Sequence, residues 1–101
     1  MNWQDLSSVL GGLQNTVTTM VSATIISPKT KLTLLTGNID VSSINVPIDN
    51  YYHELIFVPI DAGGLGFGGG EGNITGAAFI QQYSAAILIY DPVNARYYLV
   101  R

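Results

Sequence analysis

The sequence predicts an all-β fold, an antiparallel β-sandwich or jelly-roll-like barrel with a short N-terminal arm open to partial helix. Three observations predict it. Short apolar or alternating runs follow one another from Lys31 onward, Gly and Pro separate them at about 8–12-residue spacing, and no amphipathic helical pattern follows Pro28. A βαβ arrangement is disfavoured on the same grounds.

Length and composition bound what the chain does. A chain of 101 residues suits one domain with one small core. It is 48% hydrophobic and only 11% charged, well below the roughly 25% charged usual in globular domains. Disorder needs few apolar residues and high net charge, so the chain folds. Its surface is either covered by partners or kept soluble by uncharged polar residues. A net charge of -3 leaves no basic stripe for phosphates, which excludes nucleic acid as an expected partner. Without cysteine there is no disulfide, thiolate zinc site or cysteine nucleophile. No apolar run approaches the ~18 residues of a membrane span, and Met1-Asn2-Trp3-Gln4-Asp5 lacks a signal peptide's basic start. The expected setting is synthesis and use in a cytoplasm, away from membranes.

The character of the chain changes at Pro28-Lys29, dividing an arm, residues 1–27, from a β domain, residues 28–101. In the arm Trp3, Leu6, Leu10, Leu13, Val17 and Met20 recur at alternating gaps of three and four, as in a coiled-coil seam. The next position is the polar Thr24, Gly11-Gly12 opposes helix, and the β-branched residues from Thr16 to Ile26 favour extended chain. A short helix over about residues 3–10, a continuous trimeric coiled coil through Met20, and an apolar arm that orders on docking are the three open forms. In each form the six apolar positions are the expected partner-binding surface.

From Lys31 the period falls to two. Lys31–Leu35 alternates and ends at the turn Thr36-Gly37-Asn38. Ile39, Val41, Ile44 and Val46 form a second β segment, broken at Ser42-Ser43 and stopped by Pro47. Tyr52–Val58 is a third, ended by Pro59. Residues 61–76 hold most of the glycines and read as a long loop. Ala77–Gln81 and Ala85–Tyr90 follow, then a turn at Asp91-Pro92-Val93-Asn94-Ala95 and a last strand, Arg96–Val100. Asp-Pro-x-Asn between two aromatic and β-branched runs marks a hairpin.

Gly64-Leu65-Gly66-Phe67-Gly68-Gly69 matches GxGxxG in form, but the dinucleotide fingerprint needs a following helix in a βαβ unit. The same stretch lacks the liganding Asp and the repetition of a calcium nonapeptide. Its expected role is structural, with Gly64, Phe67 and Gly70 as a subunit-contact loop. His53, the only histidine, could meet Glu54 or Asp61 at a metal only across a threefold axis; otherwise it starts a strand at the rim. No Gly-x-Ser-x-Gly elbow accompanies the serines, and Asp49, Glu54, Asp61, Glu71 and Asp91 fall at turns or strand ends. Asn73-Ile74-Thr75 is a glycosylation sequon by pattern alone. No nucleophile, base and orienting group can be assembled, so the expectation is a non-enzyme without cofactor or metal. The tyrosines and phenylalanines, from Tyr51 to Tyr98, are expected mostly in the core.

The order Leu32-Thr33-Leu34, Gly37-Asn38-Ile39, Ile44-Asn45-Val46-Pro47, Tyr52–Val58, Gly72-Asn73-Ile74, Ala86–Asp91 and Arg96–Val100 resembles the small β domains of tailed-bacteriophage fibres, spikes and head-decoration proteins. The resemblance runs from Leu32 to Val100 and lies in order and spacing. It implies a homotrimer whose work is adhesion. Because the chain has one domain and a short arm rather than a long shaft, it implies a capsid decoration or cement protein bound between major capsid subunits. Residues 1–27 would then attach it to the virion surface after assembly in the host cytoplasm. A fibre or collar component, or a small coat subunit, is the alternative.

Overall fold

The computed structural model describes residues 17–45 and 54–100. Among these residues the fold is all-β, with ten strands and no helix. In chain order they are β1 Val17–Val21, β2 Ile25–Ile26, β3 Leu32–Thr36, β4 Ser43–Ile44, β5 Glu54–Pro59, β6 Leu65–Gly68, β7 Ile74–Thr75, β8 Ala77–Ile80, β9 Ala86–Asp91 and β10 Arg96–Val100.

A six-stranded sheet has the order β1-β3-β5-β9-β10-β7. Val17 lies beside Leu32 and Leu32 beside Ile56, all in parallel pairing, and β7 runs parallel to β10. Only β9 is antiparallel to its neighbours, β5 and β10. The second layer is assembled from short pieces: β2 parallel to β4, a parallel bridge from Val41 to Phe67, and β6 antiparallel to β8.

Three successive stretches of chain therefore stack as rungs. Each passes from the large sheet into the second layer: β1 to β2, β3 to β4, and β5 to β6. β8 and β9 then return in the opposite direction beside β6 and β5. This corrects the antiparallel expectation. Apolar alternation reports which side of a strand is buried and is silent on the direction of its neighbour. Parallel neighbours need a crossover, which the second-layer strands provide here in place of helices.

The core lies between the layers in a sandwich-like arrangement. Leu35, Leu55, Phe57, Ile74, Ala86, Leu88 and Tyr97 point inward from the large sheet, against Ile26, Val41, Ile44, Leu65, Phe67 and Ile80. Phe57 and Phe67 meet at 5.9 Å between ring centroids, and Tyr90 and Tyr97 at 4.9 Å. Tilted pairs at these separations suit the aromatic quadrupole; Phe57 and Phe67 link the two layers, while Tyr90 and Tyr97 are cross-strand neighbours within the large sheet.

Two sequence assignments change. The boundary at Pro28 is not a boundary of packing, because β1 is an edge strand of the large sheet and Ile26 is a core residue. Val-Thr-Thr-Met-Val is rich in β-branched residues, and that propensity prevails over the three-and-four spacing. Within β1, Met20 turns inward onto the core while Val17 faces outward, so the two do not share a stripe. Trp3, Leu6, Leu10 and Leu13 lie outside the described residues.

The glycine stretch 61–76 is not a continuous loop, since it contains β6 and β7. Gly68 has a φ of 75°, and a Cβ there would collide with the Gly76 carbonyl, so glycine is what lets β6 run on into the next turn.

Candidate functional site

Any chemistry this chain performs would rest on its polar side chains. At the corner between the layers, Ile39 N donates to Ser22 Oγ at 3.0 Å, Gly37 N to Asp61 Oδ2 at 2.6 Å, and Gly66 N to Asp40 Oδ1 at 2.9 Å. Each acceptor belongs to a different rung from its donor. These side chains therefore tie one rung to the next where the strands end and the backbone would otherwise lack partners.

Asn73 acts in the same way on the second layer. Its side-chain amide both accepts from Ile44 N and donates to Ile44 O. Arg96 Nε donates to Thr75 Oγ1 at 2.6 Å, beside the β7–β10 pairing.

The β9–β10 hairpin holds the most perturbed carboxylate. Asp91 accepts from the Tyr98 hydroxyl, from Asn94 Nδ2 at 2.8 Å, and from Val93 N and Asn94 N. The hydrogen bond from Tyr98, followed by that from Asn94, lowers its pKa to about 2. The same bond, with Asp91 as acceptor, raises the pKa of Tyr98. Burial pushes the Tyr97 phenol up to about 12, with a smaller contribution from Tyr90. The Asp91 set is an Asx-type turn lock, made of groups that hold each other within one hairpin.

The residues singled out in the sequence fall as follows. In the GxGxxG stretch, Gly64 N donates to Asp61 O, Gly66 N to Asp40 and Gly68 N to Val41 O. The amides that would cradle phosphate are thus committed to the chain itself. Phe67, expected at a subunit contact, is 1% exposed and is a core ring. Gly64 is buried in a turn with φ 66°, while Gly70 is exposed. Glu54 pairs with Lys31 at 3.5 Å. His53 lies outside the described residues. A shallow concavity is lined by Asp40, Gly66, Phe67, Gly68, Ala77, Ala78 and Phe79, and its one carboxylate is the acceptor for Gly66 N.

The feature that sequence reasoning missed is the outer face of the large sheet. Paired residues share a face, so the registers define rows across it. One row runs Val17, Leu32, Ile56, Ile87, Val100 across five strands. On one side lie Thr19, Leu34 and Val58; on the other, Glu54, Ile89, Tyr98 and Thr75. Val17, Ile89 and Val100 are exposed, and Leu32, Leu34, Ile56, Val58 and Ile87 are partly so. The signal was present as unbroken apolar runs, Leu55-Ile56-Phe57-Val58 and Ala86-Ile87-Leu88-Ile89, which make a strand apolar on both faces. Among known proteins, the chain matches no family model, no curated protein and no solved structure.

Proposed function

We propose that the chain is a self-assembling structural protein of a virion, a decoration or cement protein that binds as a homotrimer between major capsid subunits and stabilises the head. One contrast carries the reading: the polar side chains described above are spent on partners within the chain itself, while an apolar sheet face is turned outward. A reacting site requires polar groups held in reserve for a substrate. An assembly unit requires rigid walls and bare apolar area, which is the division seen here.

On this reading the sandwich-like body, in a jelly-roll-like role, projects from the particle, and residues upstream of β1 attach it. Symmetric, multivalent seating turns modest single contacts into stable attachment. Purified virions from cells producing the chain provide the test, by mass spectrometry and a particle density map. Density for the chain between capsid subunits is the expected result. Density only in a tail fibre or collar would favour the alternative adhesion role, and absence from particles would overturn the virion assignment.

A further inference from the structure

We infer that the outer face of the six-stranded sheet, centred on Ile56 and Ile87, is the surface on which copies of this chain meet. The inference deepens the self-assembly reading and rests on it, adding the residues at which assembly occurs.

Size is the first argument. Five strands about 4.8 Å apart, with residues rising about 3.3 Å, give the rows Val17 to Val100 and Thr19 to Val58, with their flank, a span of about 20 by 16 Å. The span is apolar across its centre and polar only at Thr19, Glu54 and Thr75 on its edges, and an apolar area of this order is near the largest that monomers leave bare. Facing another such area, it would approach the lower end of specific interfaces once the rim is included.

Charge identifies the occupant. The charged groups on this face, Lys31 with Glu54 and Arg96 beside Asp91, all gather at one end and balance in sign. Elsewhere the described surface is acidic, with Asp40, Asp61 and Glu71 exposed and Lys29 the only described base outside that face. Copies of an acidic chain repel one another except where the surface is neutral, and here it is neutral and apolar together. Around a threefold axis Lys31 of each copy can be offered to Glu54 of the next, the head-to-tail charge contact through which a ring closes. The face holds few hydrogen-bonding groups in reserve with which to recognise a shaped polar partner, since the Tyr98 hydroxyl is held by Asp91.

The experiment uses the full chain. Light scattering on the wild type at micromolar concentration is expected to give a multiple of 10.8 kDa. Ile56→Lys and Ile87→Lys are expected to fall to the mass of one chain with an unchanged β circular dichroism spectrum. Val93→Lys, at the exposed hairpin tip, should keep the wild-type mass. Because the chain lacks cysteine, Ile87→Cys and Val93→Cys add a second measurement that tolerates marginal folding of the lysine variants: short bismaleimides should join copies through position 87 and not through 93.

An oligomer that persists in both lysine variants and cross-links at 93 instead overturns this face while leaving self-assembly standing. A wild type that remains a monomer overturns both. A monomer whose Ile87→Cys thiol also resists maleimide would assign the face to another segment of the same chain.

Discussion

The side-chain amide of Asn73 closes a two-bond ring on the backbone of Ile44, accepting from Ile44 N at 2.8 Å and donating to Ile44 O at 2.7 Å. An amide side chain thereby takes the place of a neighbouring strand at the one point where β4 has none. Asn73→Ala leaves both backbone groups of Ile44, a residue 1% exposed, without partners. The expected loss is about 2–3 kcal/mol, because orphaned buried groups forfeit their desolvation as well as the bond. Urea unfolding of wild type and variant measures it. A loss under about 0.5 kcal/mol, the range of neutral surface changes, would remove Asn73 from the account of the second layer.

Gly72, next to Asn73, tests the same junction sterically. A Cβ there would overlap the Ser42 carbonyl and the Ser43 hydroxyl, whereas at Gly70 the nearest atom is Ser42 Cβ at an ordinary 3.4 Å. Gly72→Ala is expected to destabilise by about 3 kcal/mol, and Gly70→Ala to stay within about 0.5 kcal/mol. Parallel melting curves of the two variants compare them directly, and equal losses would refute the close approach of the two chain segments.

Thr33 and Tyr97 are fully buried, and their hydroxyls have no partner among the described residues. Thr33→Val replaces an unbonded hydroxyl with a methyl of the same shape, and Tyr97→Phe removes one outright. Each is expected to be neutral or to stabilise by about 1 kcal/mol, since a polar atom dehydrated without a bond opposes folding. A denaturation midpoint that falls in both variants would show that these hydroxyls do find partners.

Stability against pH follows from the hairpin and the core phenol. Asp91 titrates near 2 in the fold against 3.8 for the free side chain, so the unfolded chain binds more protons between these values. Its contribution is present above about pH 3.8 and is lost as pH falls towards 2. Tyr97 titrates near 12 against 10.0, so the unfolded chain releases its proton first and stability falls as pH rises from 10 towards 12. Chemical denaturation across pH is expected to show both limbs. Asp91→Asn should flatten the acid limb and Tyr97→Phe the alkaline one, and a variant with an unchanged limb would contradict the corresponding assignment.

A chain beginning at Pro28 loses β1 from the edge of the large sheet and Ile26 from the core. It is expected to unfold or aggregate at temperatures where the full chain is folded, because the uncovered edge of β3 invites pairing with other chains. A soluble, cooperatively melting product with native β dichroism would restore the boundary at Pro28.

The sequence made the middle and end of the fold legible. Lys31–Leu35, Tyr52–Val58, Ala85–Tyr90 and Arg96–Val100 overlap β3, β5, β9 and β10, because alternation and turn chemistry act locally there. β1 was obscured by a competing helical spacing, and β6 by glycines whose propensity is overridden by Leu65 and Phe67 entering the core. Parallel direction was not legible at all. The partners of Leu32, Val17 on one side and Ile56 on the other, lie at unequal distances along the chain, so no repeat announces the rungs. Asn73 and Asp61 were noticed as a sequon and as a strand-end acid. Their work is done on Ile44 and Gly37, neighbours that only the stacked layers bring near.

The parallel pairing of β1, β3 and β5 also sets an order in time. Within the large sheet, only the β9–β10 hairpin joins strands that follow one another directly in the chain. Such hairpins close in about 1–10 μs, whereas ladders between distant segments wait on slower searches. On that basis the expected order runs from the hairpin outward along the sheet, β9 meeting β5, β5 meeting β3, and β3 meeting β1 last. During synthesis at about 5–20 residues per second, β1 leaves the ribosome well before the strands on which its place depends. On this order β1, the first of the described strands to be made, is the last to be housed, and its uncharged Val-Thr-Thr-Met-Val edge is expected to spend that interval open to any other nascent copy nearby.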